Sequence, residues 1–215
     1  MKKYLVEFIG TFILVLVIGL TGGNSMAPLA IGSVLVVLVY MGGPVSGAMY
    51  NPAVTLAVLL RKKMETKEAL LYMLAQILAA MASAYFFFLI WGKTWAPRPN
   101  TDINILKALA IEIVFTFVLA LVVLSVATSK KSSGNSYFGL AIGFTVLAAA
   151  FAGGPISGGA FNPAVGIGPI LIDSIFGTCH CDSINFLWIY LAGPFTGGAL
   201  AAIAYKMANP DEFEG

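Results

Sequence analysis

The sequence predicts an all-α membrane protein built from six transmembrane helices and two re-entrant half-helices, which are related by an inverted repeat. Composition is the first reason, because 59% of the 215 residues are hydrophobic and 10% are charged, too little polar surface for a soluble globule. The second reason is a repeat, since residues 42–54 recur almost letter for letter at 153–165. We therefore expect a single transmembrane domain over residues 1–215, with the lipid bilayer as its surroundings.

Six apolar stretches are each near the ~20 residues that a spanning helix needs. They cover residues 4–21, 27–41, 69–91, 105–128, 137–153 and 186–207. With three spans in each half, repeat one (about 1–92) and repeat two (about 105–208) must run in opposite directions through the bilayer. The short acidic tail, residues 209–215, is expected to be disordered.

Basic residues predict the orientation. Nine Lys and Arg fall on the side of the N-terminus and three on the other side, and positive charge favours the cytoplasmic face. The nine are Lys2, Lys3, Arg61, Lys62, Lys63, Lys67, Lys130, Lys131 and Lys206; the three are Lys93, Arg98 and Lys107. We expect a multi-pass protein of the plasma or inner membrane with both termini cytoplasmic. The net charge of +2 forms no basic patch, so no nucleic-acid partner is expected.

The two repeated segments predict re-entrant half-helices. Each contains Asn-Pro, and Pro suits the first position of a helix, so Asn51 and Asn162 are predicted N-caps of half-helices over about 52–60 and 163–173. The inverted repeat points both N-termini at the bilayer centre, where each carries roughly +0.5 of an elementary charge. Two carboxamides and a ladder of loop carbonyls there suit a neutral, hydrogen-bonding solute and repel cations.

With these motifs the chain resembles the aquaporin family, also called the major intrinsic proteins. The resemblance rests on Asn51-Pro52-Ala53 and Asn162-Pro163-Ala164, each preceded by Gly-Pro-[Val/Ile]-Ser-Gly, and it extends from Glu7 to Tyr205. It implies a right-handed bundle assembled as a homotetramer with one pore per subunit. It also implies a passive channel for water or small neutral solutes, with no cofactor.

The chain departs from the family at the selectivity filter. Members that conduct water usually carry Arg directly after the second Asn-Pro-Ala, where this chain has Val165. Counting without gaps, the other three filter positions fall on Ile31, Ala150 and Gly159. None of the four is charged, aromatic or polar. We expect a wide, apolar filter, which would admit glycerol-like polyols, urea, undissociated weak acids or dissolved gases, although apolar constrictions can also dewet.

Three nearby positions bear on that expectation. A swinging aromatic side chain could narrow the filter, and Phe151 and Tyr50 are the candidates. In the first loop, a His often precedes the aromatic-Asn pair in this family, and Met49 stands at that position here.

Glu7 and Glu112 are the carboxylates within the spans, at matched places in the repeat. We expect each to accept hydrogen bonds from loop N–H groups and so to support a re-entrant loop. The alternative is a proton-coupling site of a secondary transporter. For Gln76 we expect packing and a backbone hydrogen bond.

Two further alternatives remain. A non-conducting scaffold on the same fold would need long external loops, whereas 92–104 and 174–185 are short. Cys179-His180-Cys181 could bind a thiophilic metal, but a second ligand pair is missing, so no metal site is expected. No nucleophile with a base appears near the pore motifs, and we therefore expect no enzyme.

Overall fold

A computed structural model of the protein describes residues 1–177 and 182–213, which fold into eight α-helices without any β-strand. The first repeat contains α1 (Lys2–Thr21), α2 (Ala27–Ser46), α3 (Pro52–Leu60) and α4 (Thr66–Trp91). The second contains α5 (Ile105–Val123), α6 (Phe138–Ser157), α7 (Pro163–Phe176) and α8 (Leu187–Ala208). All except the short α3 and α7 are long and apolar enough to cross a membrane, so the prediction of six spans is confirmed.

Helix packing follows the repeat. Helix α1 packs on α4 and on α2, as α5 packs on α8 and on α6. Each half-helix is held mainly by the last helix of the other repeat, α3 by α8 and α7 by α4. The two halves also meet directly where α2 crosses α6. Each repeat therefore completes the core of the other.

Two glycines let α2 and α6 approach closely. A Cβ atom on Gly32 would lie 2.9 Å from the carbonyl oxygen of Gly143, and one on Gly143 would lie 2.7 Å from the carbonyl oxygen of Gly32. Any side chain at either position would push the helices apart. This pair fixes the seam between the two repeats.

Two spans extend further than the sequence predicts. Helix α2 continues to Ser46, through Pro44, and α6 continues to Ser157, through Pro155. The stretches 44–46 and 155–157, expected in the re-entrant loops, are therefore helical. A proline within a helix removes one hydrogen bond, and the packing of the bundle compensates for it. Both helices then end at a left-handed glycine, Gly47 with φ 86° and Gly158 with φ 87°.

Two other helices differ from the bounds that the sequence predicts. The fourth span is α-helical only to Val123 and continues as a π-helical turn over Leu124–Thr128. Helix α7 continues past 173, where Asp173 is buried, and ends at Phe176, before the left-handed Gly177 with φ 53°. The Asp173 carboxylate accepts hydrogen bonds from Thr94 at 2.5 Å and from Ser183 at 2.6 Å. These bonds tie α7 to the two segments beside it.

The start of the acidic tail is ordered, contrary to prediction. Residues Pro210–Glu212 form a 3₁₀ turn, and the Glu212 carboxylate is 2.6 Å from the Arg61 guanidinium, with both side chains buried. The guanidinium lies over the rings of Phe213 and Tyr205, at 4.4 and 5.2 Å from their centroids. An ionic and aromatic cluster therefore joins the tail to the end of α3.

The same cluster lies on the face of the bundle that holds both termini. Ser129, after the π-helical turn, donates a 2.5 Å hydrogen bond to Glu212. Near the N-terminus, Lys3 pairs with Glu68 at the start of α4. Both chain ends and the α3–α4 and α5–α6 loops therefore share one face.

Candidate pore and its supports

The two re-entrant loops meet through their asparagines. The Asn51 Nδ2 atom donates to the Phe161 carbonyl, and the Asn162 Nδ2 atom donates to the Tyr50 carbonyl, both at 2.9 Å. Each side-chain oxygen caps its own half-helix by accepting from the backbone N–H two residues on, Ala53 or Ala164, again at 2.9 Å. Because a carboxamide has two N–H donors, each asparagine keeps one beyond its loop-to-loop bond. The half-helix N-termini therefore face each other at the junction of the repeats.

The Glu7 carboxylate binds the first re-entrant loop through hydrogen bonds. It is fully buried, and its carboxylate accepts from Ser46 Oγ at 2.7 Å, Met49 N at 3.0 Å and Tyr50 N at 2.7 Å. Gln76 Nε2 also donates to Glu7 at 2.8 Å and to Thr55 Oγ1 at 3.0 Å. The expected backbone bond of Gln76 is thus replaced by side-chain bonds. This geometry fits a loop support.

Glu112 occupies the matched place under the second loop. It too is fully buried and accepts from Ser157 Oγ at 2.7 Å, Ala160 N at 3.0 Å and Phe161 N at 2.7 Å. It has no counterpart of the Gln76 donor, because Pro194 stands at the corresponding position of the repeat. Neither Glu7 nor Glu112 lines the cavities described below.

The four predicted filter positions line one cavity. Ile31, Ala150, Gly159 and Val165 surround it together with Asn51 and Asn162. The cavity has a volume of about 600 Å³ and extends from the α1–α2 loop, at residues 22–25, past both asparagines to Val54 and Val123. None of its described lining residues is charged. Since a water molecule occupies about 30 Å³ in the liquid, the cavity has room for several waters or a small polyol.

One candidate for narrowing the filter is wrong. Tyr50 is completely buried, and its hydroxyl donates to the Leu38 carbonyl at 3.0 Å. A Cβ atom on Gly10 or Gly42 would lie about 2 Å from the Tyr50 ring or hydroxyl, so the side chain has no room to swing. Phe151, in contrast, lines the cavity and is 47% exposed.

Several residues of this site were not predicted from the sequence. Ser46 and Ser157 each bind the loop glutamate, and their place in the repeated Gly-Pro-x-Ser-Gly segment is the signal that could have indicated them. No sequence pattern indicated a second cavity, which lies on the face that holds the termini. The described residues contain no cluster of metal ligands, and Cys179-His180-Cys181 lies outside them.

Comparison with known proteins places this geometry in a family. The profile of the family described as "Major intrinsic protein" matches residues 1–205. The chain belongs to this family. It is 36% identical to "Aquaporin NIP1-4" of Oryza sativa subsp. japonica, over 96% of this chain and 77% of the relative. It is 32% identical to "Glycerol uptake facilitator protein-like 6" of Lactiplantibacillus plantarum, over 99% of this chain and 100% of the relative.

A further relative and a solved structure also match the chain. "Aquaporin AqpM" of Methanothermobacter marburgensis is 32% identical over 95% of this chain and 96% of the relative. A solved structure, the aquaglyceroporin from Plasmodium falciparum, matches with a TM-score of 0.86 over 98% of both chains, at 21% identity. That structural likeness confirms the predicted fold of this major intrinsic protein.

Proposed function

We propose that the protein is a passive transmembrane channel for water and for uncharged solutes larger than water, such as glycerol-like polyols, urea, undissociated weak acids or dissolved gases. The observation that carries this proposal is the cavity of about 600 Å³, which contains both asparagines and an entirely apolar filter set. An arginine at Val165 would project up to five N–H donors and a fixed charge into that space. Its absence leaves room for a solute with carbon faces.

Exclusion of cations is proposed to depend on the half-helices. The N-termini of α3 and α7 both point at the asparagine pair, and each carries roughly +0.5 of an elementary charge. The cavity offers no described carboxylate to compensate for this potential. A cation would lose hydration at the centre and gain little, whereas a neutral solute can accept from the free Asn51 and Asn162 donors.

The contacts of Glu7 and Glu112 favour this channel over a proton-coupled transporter. Both carboxylates are buried behind the loops, and both are occupied by hydrogen bonds from backbone N–H and serine groups. A coupling site would need access to the solute path. A non-conducting scaffold is disfavoured by the pore cavity, which contains both asparagines.

The proposal includes the orientation of the protein in the membrane and its assembly. Lys and Arg are concentrated on the face that holds both termini, which supports a cytoplasmic location for that face in a plasma or inner membrane. We infer a homotetramer with one pore per subunit from membership of the family. Mass measurement of the detergent-solubilised protein tests the assembly.

Flux into proteoliposomes tests the function. We expect stopped-flow light scattering to show water and glycerol permeability above that of empty liposomes, unchanged by an imposed proton gradient. Uphill accumulation of a solute driven by that gradient would favour the transporter. Permeability equal to that of empty liposomes, for water and for every solute tried, would favour the scaffold.

A further inference from the structure

Two cavities follow one another through the bundle. The first is the pore cavity described above, and the second has a volume of about 720 Å³ on the face that holds both termini. Lys63, Glu68 and Lys130 are among the residues that line the second cavity. Of the described residues, only Met49 and Val123 line both cavities. These two side chains therefore lie at the neck between them.

We propose that Met49 and Val123 form an apolar inner gate, and that the Met49 side chain moves to open it. This inference rests on the proposed channel function, which it deepens by placing a second selectivity element on the inner side of the asparagine pair. An apolar neck excludes ions and resists wetting. It therefore limits passage to uncharged solutes at a point distinct from the outer filter.

The structure distinguishes a fixed side of the neck from a movable one. Val123 is buried and β-branched, and it is the last residue of α5 before the π-helical turn, so its side chain is restricted. Met49 is half-buried on a loop whose backbone is held by the hydrogen bond from Met49 N to Glu7. Its unbranched thioether side chain has three rotatable bonds and makes no hydrogen bond, so it can move while the loop stays fixed.

The repeat shows why the neck forms on the inner side. The residue matched to Met49 is Ala160, and the residue matched to Val123 is Ile18, which lines the outer part of the pore cavity. The outer pair, Ile18 and Ala160, therefore combines a large side chain with a methyl group, next to Gly159. The inner pair combines two large apolar side chains. Symmetry of the backbone and asymmetry of the side chains together put the narrower passage at Met49.

Water and glycerol flux through variants tests the gate. Met49→Ala removes the moving side chain, and Met49→Gln keeps its length while adding polar atoms that wet the neck. We expect both to raise water permeability several-fold over the parent, and Met49→Ala to raise glycerol permeability as well. Val123→Ala should act in the same direction. The matched controls are Met41→Ala and Val37→Ala, which shorten exposed side chains of α2 that line neither cavity; we expect parental flux from both.

The outcomes separate the gate from the channel. If the parent conducts and Met49→Ala, Met49→Gln and Val123→Ala all match it, the gate is wrong and the channel stands. If neither the parent nor any variant exceeds empty liposomes, the channel function itself is wrong, and the gate with it. Thermal stability in detergent identifies a variant that fails to fold. In that case the flux through the other variants of Met49 and Val123 tests the gate.

Discussion

Asn51 and Asn162 are joined crosswise, because each donates a 2.9 Å hydrogen bond to the carbonyl that directly precedes the other, in Phe161 and Tyr50. This exchange locks the two half-helices of an inverted repeat against each other. It leaves one N–H of each carboxamide for a passing solute and keeps both helix N-termini directed at the same point.

Asn162→Asp tests the electrostatic barrier at this junction. The change keeps the shape of the side chain, removes the donor to the Tyr50 carbonyl and adds a negative charge at a site of positive potential. We expect sodium and proton leak into proteoliposomes to rise and stability to fall, since a lost hydrogen bond to a buried group costs about 1 to 3 kcal/mol.

Asn24→Asp is the control for that experiment. It introduces the same charge at the outer mouth of the same cavity, away from the asparagine pair. We expect its cation leak to equal that of the parent. If Asn162→Asp remains folded and leaks no more than Asn24→Asp, the half-helices do not account for cation exclusion.

Glu112→Ala tests the loop support. It leaves the N–H groups of Ala160 and Phe161 without their acceptor, at about 1 to 3 kcal/mol each. We expect a lower melting temperature in detergent and a loss of all fluxes together. Glu65→Ala removes an exposed carboxylate that lines neither cavity and should leave both properties close to those of the parent. A Glu112→Ala variant with parental stability would contradict the support role.

Glu212→Gln tests the cluster that joins the tail to α3. The substitution leaves the buried Arg61 guanidinium without its counter-charge, so we expect a lower melting temperature and faster proteolysis of the tail. Asp211→Asn changes the neighbouring exposed pair with Lys131, which is worth little, and should have no measurable effect. Equal melting temperatures for the two variants would show that the cluster contributes nothing to stability.

The same cluster predicts a pH dependence. The hydrogen bond from Ser129, followed by those from Tyr205 and Arg61, lowers the pKa of Glu212 to about 2 from its usual value of 4.5. Because the folded pKa is the lower one, the stabilisation is complete above the unfolded pKa and is lost as the pH falls from about 4.5 through about 2. Proteolysis by pepsin across this range should release the tail at higher pH in Glu212→Gln than in the parent.

Local sequence signals predicted much of this architecture. Asn-Pro at 51–52 and 162–163 combines an N-cap with the residue best suited to the first helical turn, so the sequence predicts the starts of α3 and α7 at Pro52 and Pro163, where the structure has them. The matched glutamates could be linked to the loops because buried irregular backbone needs acceptors. The repeat itself indicated which residues correspond.

Other features depend on partners that are distant in the sequence. Helix α2 continues through Gly42, Gly43 and Pro44 against local propensity, because tertiary packing outweighs it. The Arg61–Glu212 pair is separated by 151 positions and has no local pattern, which is why the tail was expected to be disordered. Tyr50 is predicted as an aromatic side chain that could swing inward to narrow the filter, but its position beside Gly10 and Gly42 depends on contacts that are distant in the sequence and leaves it no room to move.

The central claim is that an apolar filter without arginine passes solutes larger than water. Val165→Arg adds donors and bulk to that filter, and Val165→Leu adds bulk alone, so the pair separates the two effects. The direct measurement is the ratio of glycerol to water permeability in stopped-flow light scattering for the parent and both variants. We predict a measurable glycerol flux in the parent and a ratio that falls most in Val165→Arg. A parent that passes water quickly and excludes both glycerol and urea would contradict the claim.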